Sequence, residues 1–206
     1  MGCCQSVWMN PIANVTNQNS TLQGDAVAEI LDLEEKRRQL AAKRGFQHWI
    51  HRFSESFDAR TCCRDISDAT LAKLIQGGEE FSPLLYEFIM GVKGWGPGRS
   101  FENLESPAKM AVMDIALFML DQLRFEALHR LGWIEDFYTL QVPFVEMVEE
   151  FTDRFAARQH QTPALSPQHP GFTEYQEAFE TDRGRFIRKL IPDMIQAYKD
   201  KTQEPA

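Results

Sequence analysis

Apolar residues recur at intervals of three and four positions along most of the chain, which is the pattern of amphipathic helices. A clear example is the series Phe46, Trp49, Ile50, Phe53 and Phe57. No alternation of apolar and polar residues is long enough to predict a strand. The positions of Gly, Pro and capping Ser residues indicate where these helices begin and end. The predicted helices cover 26–44, 46–57, 68–76, 83–93, 107–131, 143–158 and 172–199. The last of them is interrupted near Gly184 and Pro192.

The longest predicted helix begins at Ser106-Pro107 and ends before Gly132. Proline suits the first position of a helix, and glycine suits the position just after the last. The first half of this helix is apolar almost all round, which is typical of a helix at the centre of a domain. We therefore predict an all-α fold, an irregular bundle of about six or seven helices around a central buried helix at about 107–131.

The first 24 residues are rich in Asn, Gln, Ser and Thr and hold few apolar residues. This composition is typical of a flexible tail, whereas residues 25–206 are enough for one helical domain with its own core. The longest apolar stretch, 110–120, is about half of the ~20 residues that a membrane span requires. We predict a flexible N-terminal tail over 1–24, followed by a single helical domain over 25–206 that does not cross a membrane.

The N-terminus carries an acylation pattern. Once Met1 is removed, Gly2 with Ser6 forms the acceptor pattern for N-myristoylation, and thioester acylation of Cys3 and Cys4 can add further chains. One myristoyl chain binds a membrane weakly, and a second makes the attachment stable. We expect a cytoplasmic protein held at the cytosolic face of a membrane by this lipid anchor. The alternative is a chance occurrence of the pattern in a bacterial chain.

The formal net charge of −8 argues against nucleic-acid binding by the domain as a whole. The stretch 34–52 departs from this balance, with six basic and two acidic residues. Such a stretch can contact an anionic membrane surface or a partner; the alternative is a solvated helix face that pairs with acidic helices. The candidate contact residues are Lys36, Arg37, Arg38, Lys43 and Arg44. Trp95, which lies in a Gly- and Pro-rich loop, is a further candidate as an anchor for a partner.

Two carboxylates interrupt the apolar part of the central helix. Asp114 and Asp121 are seven residues apart, so they lie on one line of the helix and about 10.5 Å apart along its axis. Arg124, three residues after Asp121, is the natural cationic partner. These three residues predict either a polar pocket beside the central helix or a buried ion pair that fixes helix packing.

Two further sets of residues have spacings found in metal sites. His48, His51 and Glu55 are predicted to share one helix face, and Glu126 with His129 has the spacing of half a di-iron site. The sequence supplies no further clustered ligands to complete either set. We therefore assign no catalytic residue, no metal and no cofactor from the sequence.

These features favour a non-enzymatic helical interaction module that binds a protein partner and is tethered to a membrane by dual acylation. The alternative is a soluble bacterial helical protein with a small-molecule or metal pocket near Asp114, Asp121 and Arg124. A third possibility is an enzyme that uses the face of His48, His51 and Glu55.

Overall fold

The computed structural model describes residues 20–203, with side chains described for residues 33–202. The predicted acyl acceptors Gly2, Cys3 and Cys4, and most of the predicted tail, lie outside the described residues. Within the described residues the chain divides after Lys36: residues 37–203 belong to one compact unit, and residues 20–36 belong to another.

The all-α class is confirmed. Within residues 20–203 there is no strand, and two isolated bridges are the only extended pairings there. The last predicted helical region forms three separate helices, so the described residues hold nine. The helices are α1 (Ser20–Gly45), α2 (Gln47–Phe53), α3 (Asp68–Leu74), α4 (Gly78–Lys93), α5 (Ser106–Arg130), α6 (Phe144–Glu149), α7 (Phe172–Glu177), α8 (Glu180–Lys189) and α9 (Ile191–Gln203).

Local sequence signals explain several helix ends. Helix α5 has Pro107 in its first turn and is followed by Gly132, whose φ is +72°. Gly94 ends α4 in the left-handed conformation with φ +71°, which glycine adopts without steric cost. At the start of α3, the Ser67 hydroxyl accepts a hydrogen bond from the Thr70 N–H at 3.1 Å, a typical N-cap.

An aromatic cluster joins α2, α4 and α6. Phe46, Trp49, Phe88 and Phe144 are fully buried, and the ring centroids of Phe46 and Phe88 are 4.6 Å apart. The indole Nε1 of Trp49 donates a hydrogen bond to the Leu84 carbonyl at 3.0 Å. Burying rings of this size supplies a large share of the hydrophobic stabilisation of a domain.

The guanidinium of Arg130 holds the C-terminal end of α5. Its Nε donates to Glu126 Oε1 and its Nη1 to Asp68 Oδ1, both at 2.7 Å. Its Nη2 donates to the carbonyls of Cys63 and Arg64, both at 3.1 Å. These contacts join α5 to α3 and to the turn that precedes α3.

Asp68 extends this network to the C-terminal helix. Its carboxylate accepts a hydrogen bond from the Tyr198 hydroxyl at 2.5 Å and lies 3.6 Å from Lys201 Nζ. Tyr198 is fully buried in α9, and burial together with its hydrogen bond to Asp68 raises its pKa. The docking of α9 therefore depends on the charge of Asp68.

No helix within residues 20–203 is both long and apolar enough to cross a lipid bilayer.

Replacing Arg130 tests the network at the end of α5. The Arg130→Met variant keeps the length of the side chain but leaves the buried carboxylate of Glu126 without its cation. We expect the free energy of unfolding to fall by about 2–4 kcal/mol, less than for a fully buried pair because Asp68 is partly exposed. Urea unfolding followed by circular dichroism measures the loss.

The matched control for this prediction is Arg185→Met. Arg185 also pairs with an aspartate, Asp182, at 3.1 Å, but its side chain is 74% exposed. We expect a change within about 0.5 kcal/mol for this surface pair. Equal losses in the two variants would contradict the structural role of Arg130.

Acid titration tests the charge of Asp68. Hydrogen bonds from Tyr198 and Arg130 lower the pKa of Asp68 from its usual value, although burial opposes them. A carboxyl whose pKa is lower in the folded chain stabilises the fold above its unfolded pKa, about 3.9, and the stabilisation is lost as the pH falls through the folded pKa. We expect the free energy of unfolding to decline less steeply below about pH 4 in Asp68→Asn than in the wild type; equal declines would contradict this.

Candidate functional site

A line of apolar side chains on α5 is exposed to solvent. Met110, Met113 and Leu117 are 56%, 40% and 63% exposed, and Leu120, one turn further along, is half-buried. Their spacing of three or four residues places all four on one stripe of the helix. This stripe is called the α5 face below. Contiguous exposed apolar surface of this kind marks an interaction site more often than a lone apolar residue does.

The sequence predicts that this part of α5 is buried on nearly all sides, and the structure differs on one side. Val112, Ile115 and Met119 are buried in the core as expected, whereas none of the described elements covers the α5 face. The helix is therefore central in the bundle but open along one stripe. The hydrophobic periodicity could not identify the exposed stripe, because the exposed and buried sides of this part of α5 are equally apolar.

An apolar groove runs along one side of the α5 face. It has a volume of about 90 Å³ and lies between α4 and α5. Its wall includes Tyr86, whose ring stacks on Phe101 with centroids 5.0 Å apart and planes at 8°. The lining residues are Ser82, Leu85 and Tyr86 from α4 and Met113, Ala116, Leu117 and Leu120 from α5. The groove can receive an apolar side chain from a partner.

A polar cleft of about 280 Å³ lies on the other side of the α5 face. The three pocket candidates from the sequence, Asp114, Asp121 and Arg124, all line it. They are joined there by Arg188 of α8 and by His160, which follows α6 in the chain. The cleft thus presents two carboxylates, two guanidinium groups and an imidazole beside an apolar ridge.

The ion pair in this cleft differs from the expected one. Asp121 Oδ2 lies 3.0 Å from Arg188 Nη2, whereas Arg124 donates through Nε to the carbonyl of Ile75 at 3.2 Å. Ile75 caps the C-terminus of α3, where the helix dipole attracts a cation. Burial lowers the pKa of Arg124, and Asp121 opposes that effect. Arg188 is 67 positions from Asp121, so no local pattern could have identified it.

The floor of the cleft rests on an irregular turn. Phe118 stacks on Phe155 with ring centroids 5.4 Å apart, and Phe155 ends the π-helical turn Phe151–Phe155. Turns of this type occur often at functional sites. The chain then continues through Ala156–Arg158 to Gln159 and His160, which form part of the cleft.

Three of the basic residues predicted to contact a membrane or partner make contacts within the protein. Arg37 and Arg38 lie 3.6 and 3.8 Å from the carboxylate of Glu149, and Arg38 also bonds Glu150 at 3.2 Å. Arg44 donates to carbonyls at the end of α4, those of Gly91 at 3.0 Å and Val92 at 3.4 Å. Pairing with acidic residues is the alternative that the sequence left open for this stretch.

The remaining partner-contact candidates lie on the surface or in the preceding unit. Lys43 is exposed, and Lys36 is the last residue of the unit that precedes Arg37. Trp95 is 38% exposed in the loop after α4. The glycines of this loop and Arg44 line an open cleft of about 310 Å³, away from the α5 face.

The structure separates the three residues of the predicted His48 face. Helix α2 ends at Phe53 because Ser54 adopts a left-handed conformation with φ +58°, so Glu55 is no longer on the helix. His48 Nδ1 lies 3.4 Å from Glu87. Glu55 instead accepts hydrogen bonds from the hydroxyls of Ser67 and Thr70. Burial raises the pKa of Glu55, but these hydrogen bonds outweigh it and lower the pKa.

The cysteine pair within the described chain is buried. Cys62 and Cys63 are free thiols, and burial raises the pKa of both. The neighbouring Arg64 is directed to Asp136, with which it forms an ion pair. These thiols are therefore held in the protonated, weakly nucleophilic form.

Across the described residues, no group of three His, Cys, Asp or Glu side chains is arranged to hold a metal ion. Glu126, which the sequence paired with His129, is bonded to Arg130 instead.

Comparison of the chain with models of known protein families, with curated proteins and with solved structures finds no match. Function is therefore inferred from the geometry of the described residues.

Proposed function

We propose that this protein is a helical interaction module that binds a protein partner through the α5 face. The observation that carries the proposal is the exposure of Met110, Met113 and Leu117 over two turns of a helix whose opposite side packs in the core. Covering these side chains removes apolar surface from water, at about 25 cal/mol per Å². The polar cleft along the edge supplies charges that select the partner.

The shape of this surface suits an amphipathic helix. The α5 face is a ridge with an apolar groove on the α4 side and a polar cleft on the α8 side. A helix can lay its apolar side chains in the groove, with spacings of three and four residues, while its polar side chains face the cleft. The fixed Asp121–Arg188 pair, at 3.0 Å, keeps the far wall of the cleft in place.

The proposal includes a tether at the cytosolic face of a membrane through acylation of Gly2, Cys3 and Cys4. The support is the sequence pattern alone. Because Arg37, Arg38 and Arg44 contact the protein itself, we assign the membrane affinity to the acyl chains rather than to the basic stretch. Anchoring raises the effective concentration of the module near a partner at the same membrane.

Substitution of the acyl acceptor tests the tether. N-myristoylation requires glycine at position 2. Gly2→Ala destroys this acceptor pattern, so we expect the protein to move from the membrane fraction to the soluble fraction of its native cells. Gln5→Ala, which keeps Gly2 and Ser6, is the matched control and is expected to remain with membranes. Retention of the Gly2→Ala protein on membranes would contradict acylation as the anchor.

Photo-crosslinking tests the α5 face. A benzophenone amino acid in place of Leu117 is expected to crosslink a protein partner in native cells, because the partner covers this side chain. The same amino acid in place of Leu40, whose exposure of 59% nearly equals the 63% of Leu117, is the matched control and is expected to give no such product.

A second substitution makes this experiment specific. Met113→Lys places a charge one turn before position 117 and is expected to abolish the crosslinked product without unfolding the chain, because Met113 is 40% exposed. Equal crosslinking from positions 117 and 40, or a product that Met113→Lys leaves unchanged, would contradict binding through the α5 face.

A small-molecule pocket is the second candidate function. It is favoured by the meeting of Asp114, Asp121 and Arg124 in one cleft with Arg188. A small molecule seated in this cleft, which Leu117 also lines, gives no crosslinked protein product from position 117, whereas a protein partner does. The crosslinking experiment therefore distinguishes the two functions.

A further inference from the structure

We infer that the α5 face is a site of reversible methionine oxidation, at which Met110 and Met113 each take one oxygen atom from a hydroperoxide such as hydrogen peroxide. The two sulfoxides change the exposed stripe from apolar to polar. The modification itself follows from the exposure of these side chains. Its effect on binding rests on the proposed function, because it regulates that same surface.

The methionines within residues 33–202 fall into two classes of exposure. Met110 is 56% and Met113 is 40% exposed, and both lie on the α5 face, about one turn apart. The other methionines of this part of the chain are fully buried in the core: Met90, Met119, Met147 and Met194. A peroxide molecule in solvent therefore reaches two of these six side chains, and both belong to the proposed binding surface.

The thiols within the same residues do not compete for the peroxide. Cys62 and Cys63 are buried, and burial is the main reason that the pKa of each thiol is raised. A thiol reacts with a peroxide as its thiolate, so both cysteines are held in the weakly reactive form. The thioether of methionine needs no deprotonation, and its reaction depends on access to the side chain.

The reaction is a two-electron transfer of oxygen. A lone pair on the methionine sulfur attacks one oxygen of hydrogen peroxide, and the O–O bond breaks. A proton passes from the new S–OH group to the departing hydroxide, which leaves as water. The sulfur is oxidised from thioether to sulfoxide and the peroxide is reduced. Methionine sulfoxide reductases reverse the change with two electrons from a dithiol, which becomes a disulfide, and release the oxygen as water.

A sulfoxide alters what the α5 face can bind. Its S=O group is a strong hydrogen-bond acceptor on a stripe that continues with Leu117 and Leu120. Met113 also lines the apolar groove against α4. A partner that covers this surface with apolar side chains would bury both S=O groups without donors, which is unfavourable. Oxidation of Met110 and Met113 therefore weakens binding through the α5 face.

Peroxide treatment of the purified full-length protein tests the site of modification. Met110, Met113 and the buried Met119 lie on one tryptic peptide, between Lys109 and Arg124, so fragmentation of this peptide compares both classes directly. Each sulfoxide adds about 16 Da. We expect Met110 and Met113 to be oxidised while Met119 and the other three buried methionines remain unmodified.

The matched control is the same treatment in urea. Unfolding exposes all six methionines, so we expect them to be oxidised at similar rates. Because each oxygen is assigned to one residue, reaction at positions outside the described residues does not enter the comparison. Equal rates for Met110, Met113 and Met119 in the folded protein would overturn the inference.

Photo-crosslinking from position 117 tests the effect on binding. The purified full-length protein is oxidised, freed of peroxide and added to a desalted lysate of its native cells, so that the partner never meets the peroxide. We expect the yield of crosslinked product to fall at least about tenfold, because the partner would bury two unpaired S=O groups. Treatment of the oxidised protein with the two reductases, one for each sulfoxide epimer, is expected to restore the product.

A variant that cannot form these sulfoxides gives a second comparison. Met110→Leu together with Met113→Leu keeps the stripe apolar and removes both sulfur atoms. The yield from this variant is compared only with itself, before and after peroxide, and we expect no fall. A fall equal to that of the wild type would overturn the inference.

The outcomes separate this inference from the proposed function. A product that persists at full yield although both methionines are sulfoxides overturns the inference and leaves the α5 face as a binding site. A fall that the reductases do not reverse also overturns it, because a different oxidation product is then responsible. The lack of any product from the untreated protein contradicts the proposed function and the effect on binding, while the peptide comparison still tests the modification.

Discussion

The guanidinium of Arg130 is shared by the elements that surround the end of the central helix, and their arrangement depends on it. It binds the carboxylates of Glu126 and Asp68 and two carbonyls of the turn before α3. Glu126 is nine residues from Leu117, about two and a half helical turns, so the two side chains point to opposite sides of α5. Fixing Glu126 and Arg130 inward therefore fixes Leu117 outward. The exposure of the α5 face follows from a buried ion pair on the other side of the helix.

An inward ion pair defines helix rotation better than apolar contacts alone do. The N-terminal half of α5 is apolar on both its buried and its exposed side, so a rotation would exchange one apolar surface for another at little cost in hydrophobic free energy. It would also withdraw Glu126 from Arg130 and leave a buried carboxylate uncompensated, which costs far more. The polar network thus determines which apolar residues remain available to a partner.

Much of the fold could be predicted because its signals are local. Pro107 and Gly132 bracket α5, and Ser67 caps α3, within a residue or two of the predicted positions. The end of α2 could not be predicted in this way, since Ser54 adopts the left-handed conformation with φ +58° although no glycine stands there to signal it. The pairing of Asp121 with Arg188 depends on where α8 docks, which is a property of the tertiary structure. The sequence predicts that Asp114, Asp121 and Arg124 line a pocket. Only the folded structure shows that Arg188 and His160 line the same cleft.

The difference between Asp114 and Asp121 limits the chemistry of any partner. The two carboxylates lie on one line of α5, but Arg188 neutralises Asp121 alone. A partner that covers the α5 face removes water from Asp114 as well, and a carboxylate that loses its water without gaining a cation weakens binding. The partner must therefore bring a basic group to Asp114. The same reasoning applied to Arg124, whose described bond is to a neutral carbonyl, requires an acidic group about three turns further along α5.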